Sequence, residues 1–114
     1  MTGMHMQPIL IYSTFPSAQE AKTVASALLE DRLIACANIS APVTSLYRWE
    51  GKLEQNEEVV LIAKTRVTLA EAAAGRIKAL HSYQCPCVVI LPILGGYTPF
   101  LEWLAAETLD KPPK

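Results

Sequence analysis

Residues 41–66 read APVTSLYRWEGKLEQNEEVVLIAKTR and form one long hairpin in the sequence. The Glu50-Gly51 dipeptide supplies its turn, because glycine accepts the positive φ that tight hairpin turns demand. Side chains alternate along a strand, so Tyr47 and Trp49 share one face while Leu46 and Arg48 take the other. Val59 to Ala63 is the apolar heart of the returning strand. Pro42 has no N–H to give to a ladder and marks an edge position or a bulge. An arm this long outruns a compact sheet, and bare strand edges invite pairing with another chain. Tyr47 and Trp49 are therefore expected as subunit contacts. A base-stacking role for them lacks flanking cations.

Upstream, Ile9 to Ser13 reads as a buried strand. Ser17 with Glu20 three residues on gives a capping box and starts a helix through PSAQEAKTVASALLEDRL, whose Ala21, Val24, Ala25, Leu28 and Leu29 fall on one face. LIACANIS, residues 33–40, is a strand carrying Cys36. Downstream, TLAEAAAGRIKALH repeats the device with Thr68 as N-cap and Glu71 as its partner. Gly75 inside this helix is expected to mark close packing against a strand. Cys87 to Leu94 is the last strand, and Thr98 as N-cap with Pro99 behind it opens a short terminal helix. The order β-α-β-β-α-β plus a helix gives an α+β, ferredoxin-like sandwich with both main helices on one face of an antiparallel sheet. One domain over residues 8–108 follows, with tails at 1–7 and 109–114.

Composition narrows the function. Of 114 residues, 51% are hydrophobic and 18% charged, more apolar surface than a domain this small easily buries, so some is expected to meet another subunit. Ten Lys and Arg against eleven Asp and Glu leave no basic excess for nucleic acid. No apolar run reaches the roughly 20 residues of a membrane span, and the start lacks a secretory pattern. Cys36, Cys85 and Cys87 read as reduced thiols of a cytoplasmic protein. P-loop, G-x-S-x-G, H-E-x-x-H and paired C-x-x-C motifs are missing.

The stretch HSYQCPCVVILPI, residues 81–93, carries the remaining chemistry. Cys85 and Cys87, two residues apart, could face one ion with His81 turning towards them, and thiolate and imidazole suit copper or zinc. The competing reading makes the cysteines small buried hydrophobes and His81 a cap for the preceding helix. Both readings stay open on the residues alone. Lys64 ends an apolar strand, and Glu57 and Glu58 read as a solvated strand start.

The blocks RLIACANI, SLYRWEGKLEQNEEVVLIAKT, HSYQCP and FLEWL, in this order and spacing, closely resemble the CutA family of divalent-cation tolerance proteins. The resemblance runs from about Ile9 to Leu104 and is most specific at Tyr47, Trp49, Glu50 and Gly51. It implies a tight homotrimer with strands crossing between subunits, a cytoplasmic location in a bacterium, a link to copper and other divalent ions, and no enzymatic activity. His81 and Tyr83 match the family's histidine–tyrosine motif and Lys64 its strand-end lysine. With Trp49 they imply a polar pocket at a subunit boundary. Ser82 stands where the family commonly has proline, and Cys87 where it has glutamate, which moves the expected ion towards copper(I) or zinc. Ser13 stands where some members carry a copper-binding cysteine. A signalling trimer holding a small anionic metabolite beside Lys64, Tyr83 and Trp49 is the alternative. An acylphosphatase-like hydrolase would want Arg and Gly in STFPSAQEA, residues 13–21, which has neither.

Overall fold

The computed structural model describes residues 6–114; His5 and the start of the expected tail lie outside them. Five strands and three α-helices follow the chain as β1 (Pro8–Phe15), α1 (Ala18–Glu30), β2 (Cys36–Ile39), β3 (Val43–Trp49), β4 (Lys52–Arg66), α2 (Ala70–Leu80), β5 (Val88–Pro92) and α3 (Thr98–Ala106). The sheet order is β2-β4-β1-β5, with β3 also on β4, and every pairing is antiparallel. This is the ferredoxin-like sandwich with an added helix. One face of the sheet carries Ile9, Ile11 and Phe15 from β1 and Val59, Leu61 and Ala63 from β4. These residues form one core with Val24 and Leu28 of α1 and Ala73 and Ile77 of α2. Period two in the strands and 3.6 in the helices bring the two stripes together.

Both β2 and β3 pair with β4, as a single bent strand would. From Ile39 to Val43 the chain advances four residues, while their partners Leu61 and Glu58 are three apart. The extra residue is a bulge at Ser40-Ala41-Pro42, where the proline's missing donor is harmless. Ser40 Oγ accepts from Val60 N at 2.8 Å across it. Past the bulge, β4 has only β3 beside it, since β1 ends at the Phe15–Val59 pair. The result is a protruding two-stranded ribbon. Its turn has Glu50 at φ 49° and Gly51 at φ 81°, both left-handed, the conformation of the tight hairpin turn expected there. The molecule extends 52 × 29 × 24 Å.

Several local expectations change. Ser17 caps α1, accepting from Glu20 N at 3.1 Å, but Glu20 does not return the bond. Thr68 caps nothing: Val67–Leu69 is a 3₁₀ turn, α2 starts at Ala70 without a side-chain cap, and the Thr68 hydroxyl donates to Asp110 O at 2.9 Å. The N-cap of α3 is Tyr97, with Thr98 inside the helix. A Cβ on Gly75 would meet nothing within 4 Å, so the glycine marks no close packing. The ends are held more firmly than expected. Gln7 accepts from Val67 N at 2.8 Å and its side chain donates to Ile93 O at 3.0 Å. Leu109 packs on the core, and Asp110 pairs with Arg66 at 3.3 Å.

Candidate functional site

The even-numbered residues of β4 point away from the helices, and at the root of the ribbon this puts Glu58 on the open face. Glu58 is 8% exposed. Its Oε1 accepts from Ser45 Oγ at 2.6 Å and its Oε2 from the Tyr83 hydroxyl at 2.8 Å. Two neutral hydroxyls thus hold the carboxylate. Among the described residues no Lys, Arg or His lies within ion-pair distance of it. Burial and Glu58 together push the Tyr83 phenol up to about 12: desolvation is the largest cause, followed by the hydrogen bond to Glu58 and its charge.

Glu58 lines a groove of about 540 Å³ where the ribbon leaves the sheet. Tyr47 and Trp49 of β3 line it together, as their shared face requires, with Tyr12 of β1, Tyr83, Cys85 and Cys87. Trp49 and Tyr83 therefore line one groove. Lys64 does not: it sits well down β4 opposite Cys36, and its Nζ donates to Asn38 Oδ1 at 3.1 Å. Within one chain the expected trio of Trp49, Lys64 and Tyr83 loses its cation.

Cys85 and Cys87 are free and exposed, not small buried hydrophobes. They precede β5, which starts at Val88, so strand alternation does not set their directions; the loop nevertheless brings both to the groove. Burial, then the Glu58 charge, pushes the Cys87 thiol above its ordinary value. His81 does not join them. Its side chain is fully buried and stacks on Phe15 with ring centroids 4.3 Å apart. Nε2 donates to Thr14 O at 2.7 Å and Nδ1 accepts from Tyr83 N at 3.1 Å. With both nitrogens committed, the expectation of His81 as a metal ligand is corrected: the ring anchors the loop that carries Tyr83 and the cysteines. No group of three His, Cys, Asp or Glu side chains suited to holding a metal occurs among the described residues.

Two positions singled out in the sequence, Ser82 and Ser13, gain a physical meaning. Ser82 uses the N–H that a proline would lack, donating to Glu20 Oε2 at 2.9 Å. That bond draws the Glu20 carboxylate away from the capping box. Ser13 is buried on the helix side of the sheet and donates to Cys87 O at 2.7 Å, fastening the cysteine loop to β1.

The residue that sequence reasoning missed is Glu58. The signal was present in strand parity: Glu58 shares a face with Val60 and Ile62, so a charge there enters a half-buried row.

Comparison with known proteins fits this architecture. The family model described as CutA1 divalent ion tolerance protein matches residues 9–107. A divalent-cation tolerance protein CutA of Archaeoglobus fulgidus is 44% identical over 100 residues, covering 88% of this chain and 96% of that protein. The chloroplastic CutA 1 protein of rice is 39% identical, covering 96% of this chain but 62% of its own length, so the chain spans less than two thirds of that relative. The crystal structure of CutA1 from Oryza sativa superposes with a TM-score of 0.89 at 39% identity, over 92% of this chain and 96% of that one. With a family match across almost every element described above, and relatives this similar, the chain belongs to the CutA1 divalent ion tolerance family.

Proposed function

We propose that the chain works as a homotrimeric, non-enzymatic protein of divalent-metal tolerance, taking copper(I) or zinc at the groove through Cys85 and Cys87. The observation that carries this reading is the pair of free, exposed thiols lining one groove with the Glu58 carboxylate. Soft sulfur donors select copper(I) and zinc over magnesium or calcium. The residues present fit part of a site. One chain offers two sulfurs, which suits copper(I); a closed zinc site wants four ligands. The remaining donors would come from solvent or a neighbouring chain. Trimer formation is supported by the ribbon, where Leu46 is 73% and Leu53 77% exposed and Tyr47 and Trp49 are open on the other face. A two-stranded ribbon is marginal without cover. Free cysteines support a cytoplasmic location. An anionic metabolite fits less well, because the groove carries Glu58 and its lining residues include no Lys or Arg.

Titration calorimetry of the reduced protein with copper(I) and with zinc tests the proposal. Binding tighter than about 1 mM is expected, weakened at least about tenfold in the Cys85→Ser/Cys87→Ser variant. Affinity should rise with pH, because the Cys87 thiol must lose its proton to bind. No binding of either ion below about 1 mM removes metal from the account.

A further inference from the structure

The His81 side chain is fully buried inside a single chain, so no neighbouring subunit touches it. Its Nδ1 accepts from the Tyr83 N–H at 3.1 Å while Nε2 donates to Thr14 O at 2.7 Å. Only the neutral imidazole with its proton on Nε2 fills both roles. Beside Nδ1, at 3.6 Å, stands Glu20 Oε2. That carboxylate oxygen already accepts from Ser82 N at 2.9 Å and has a lone pair to spare. Two arrangements therefore compete for one nitrogen. A neutral ring takes the Tyr83 N–H; a charged ring carries a proton on Nδ1, which opposes that N–H and faces Glu20. Among the described residues no other charge pairs with either group. From β1 come the Phe15 ring and the Thr14 carbonyl, neither of which titrates. On α2, Arg76 is paired with Asp31 at 3.3 Å and Lys78 is exposed. Glu58 of β4 meets only the hydroxyl end of Tyr83.

We infer that His81 and Glu20 form a proton-driven latch on the loop between α2 and β5. With the ring neutral the latch is closed, and Tyr83 is held at its N–H by His81 and at its hydroxyl by Glu58. A proton taken up at Nδ1 hydrogen-bonds to Glu20 Oε2 instead. The Tyr83 N–H then has no acceptor and faces another donor, which favours a loop displaced from the ring. The Ser82 N–H holds Glu20 in place in both states. Imidazole is the side chain fitted to such a role, because its charge ordinarily changes between about pH 5 and 8. The latch uses neither Cys85 nor Cys87 and stands without the metal reading.

The test is amide hydrogen exchange at Tyr83, corrected for the intrinsic rate, beside the nitrogen chemical shifts of the His81 ring. Both are followed in the full, assembled protein from about pH 8 to about pH 5. Protection of the Tyr83 amide should fall at least about tenfold in step with protonation of the ring. Glu20→Gln keeps an oxygen for the Ser82 N–H but offers no charge to the imidazolium. Its transition should move towards acid by at least about 0.5 pH unit. His81→Gln supplies an oxygen and an N–H but takes up no proton, and should hold Tyr83 protection level across the range. Protection that stays level while the ring of the unaltered protein protonates overturns the inference. So does a ring that stays neutral down to about pH 5, a Glu20→Gln transition that does not move, or the same acid loss in folded His81→Gln. Should His81→Gln fail to fold, the Glu20→Gln transition decides alone.

Discussion

Arg32 stands just past α1 with φ at 56°, the left-handed position that glycine usually takes at a helix end. Arg32 N donates to Leu29 O at 3.0 Å and Leu33 N to Leu28 O at 2.9 Å, which closes the helix in a Schellman arrangement. The Arg32 side chain returns little, since its two contacts with Glu107, a hydrogen bond to the backbone oxygen at 3.4 Å and an ion pair at 3.9 Å, are long and solvent-exposed. Arg32→Gly should therefore stabilise the protein by about 1 kcal/mol in urea unfolding; a loss of stability would mean the Glu107 contact outweighs the backbone. Tyr83 gives the pH prediction. Its phenol ordinarily titrates at 10.0 and is raised to about 12 in the fold. Its contribution to stability is complete below 10.0 and fades as pH climbs through about 12, because the phenolate would face Glu58 in a desolvated place. Tyr83→Phe should flatten the stability profile across that alkaline window; an unchanged slope there would contradict the role. At this scale the sequence was only partly legible. The Ser17 cap could be read because its partner is three residues away. The Glu58–Tyr83 and His81–Thr14 bonds span 25 and 67 residues, and no local pattern announces them.

Elements were more legible than residues, because periodicity is a local property. The strands and both main helices follow from alternation and from the Ala-Val-Leu stripe. The reading failed where two devices look alike in sequence. Thr68 with Glu71 has the same spacing as Ser17 with Glu20, yet the Thr68 hydroxyl is taken by Asp110 O, and a 3₁₀ turn intervenes. Gly75 looked like a packing glycine but faces open space in α2. Gly75→Ala should raise stability by about 0.5–1 kcal/mol, through helix propensity and reduced freedom of the unfolded chain. Thermal and urea unfolding measure this; destabilisation would show that another surface needs the space. The bulge at residues 40–42 was half-visible in Pro42. Its consequence was not: it is the point beyond which β3 and β4 leave the sheet.

At the scale of the whole molecule, the balance of apolar surface points outward. Leu94 is 98% exposed, Val89 and Leu91 of β5 are open, and the ribbon exposes Leu46 and Leu53 on one face and Tyr47 and Trp49 on the other. Exposed apolar area of this kind marks association. The fold was legible in full from element order, whereas the groove was not, because it is assembled from β1, the ribbon and the loop before β5. If neighbouring chains cover the ribbon, the groove becomes a boundary between subunits, and the proposed metal site acquires walls that one chain cannot supply. The most direct measurement is sedimentation equilibrium at micromolar concentration. The account predicts a species of three 12.5 kDa chains; a folded, stable single chain would contradict it.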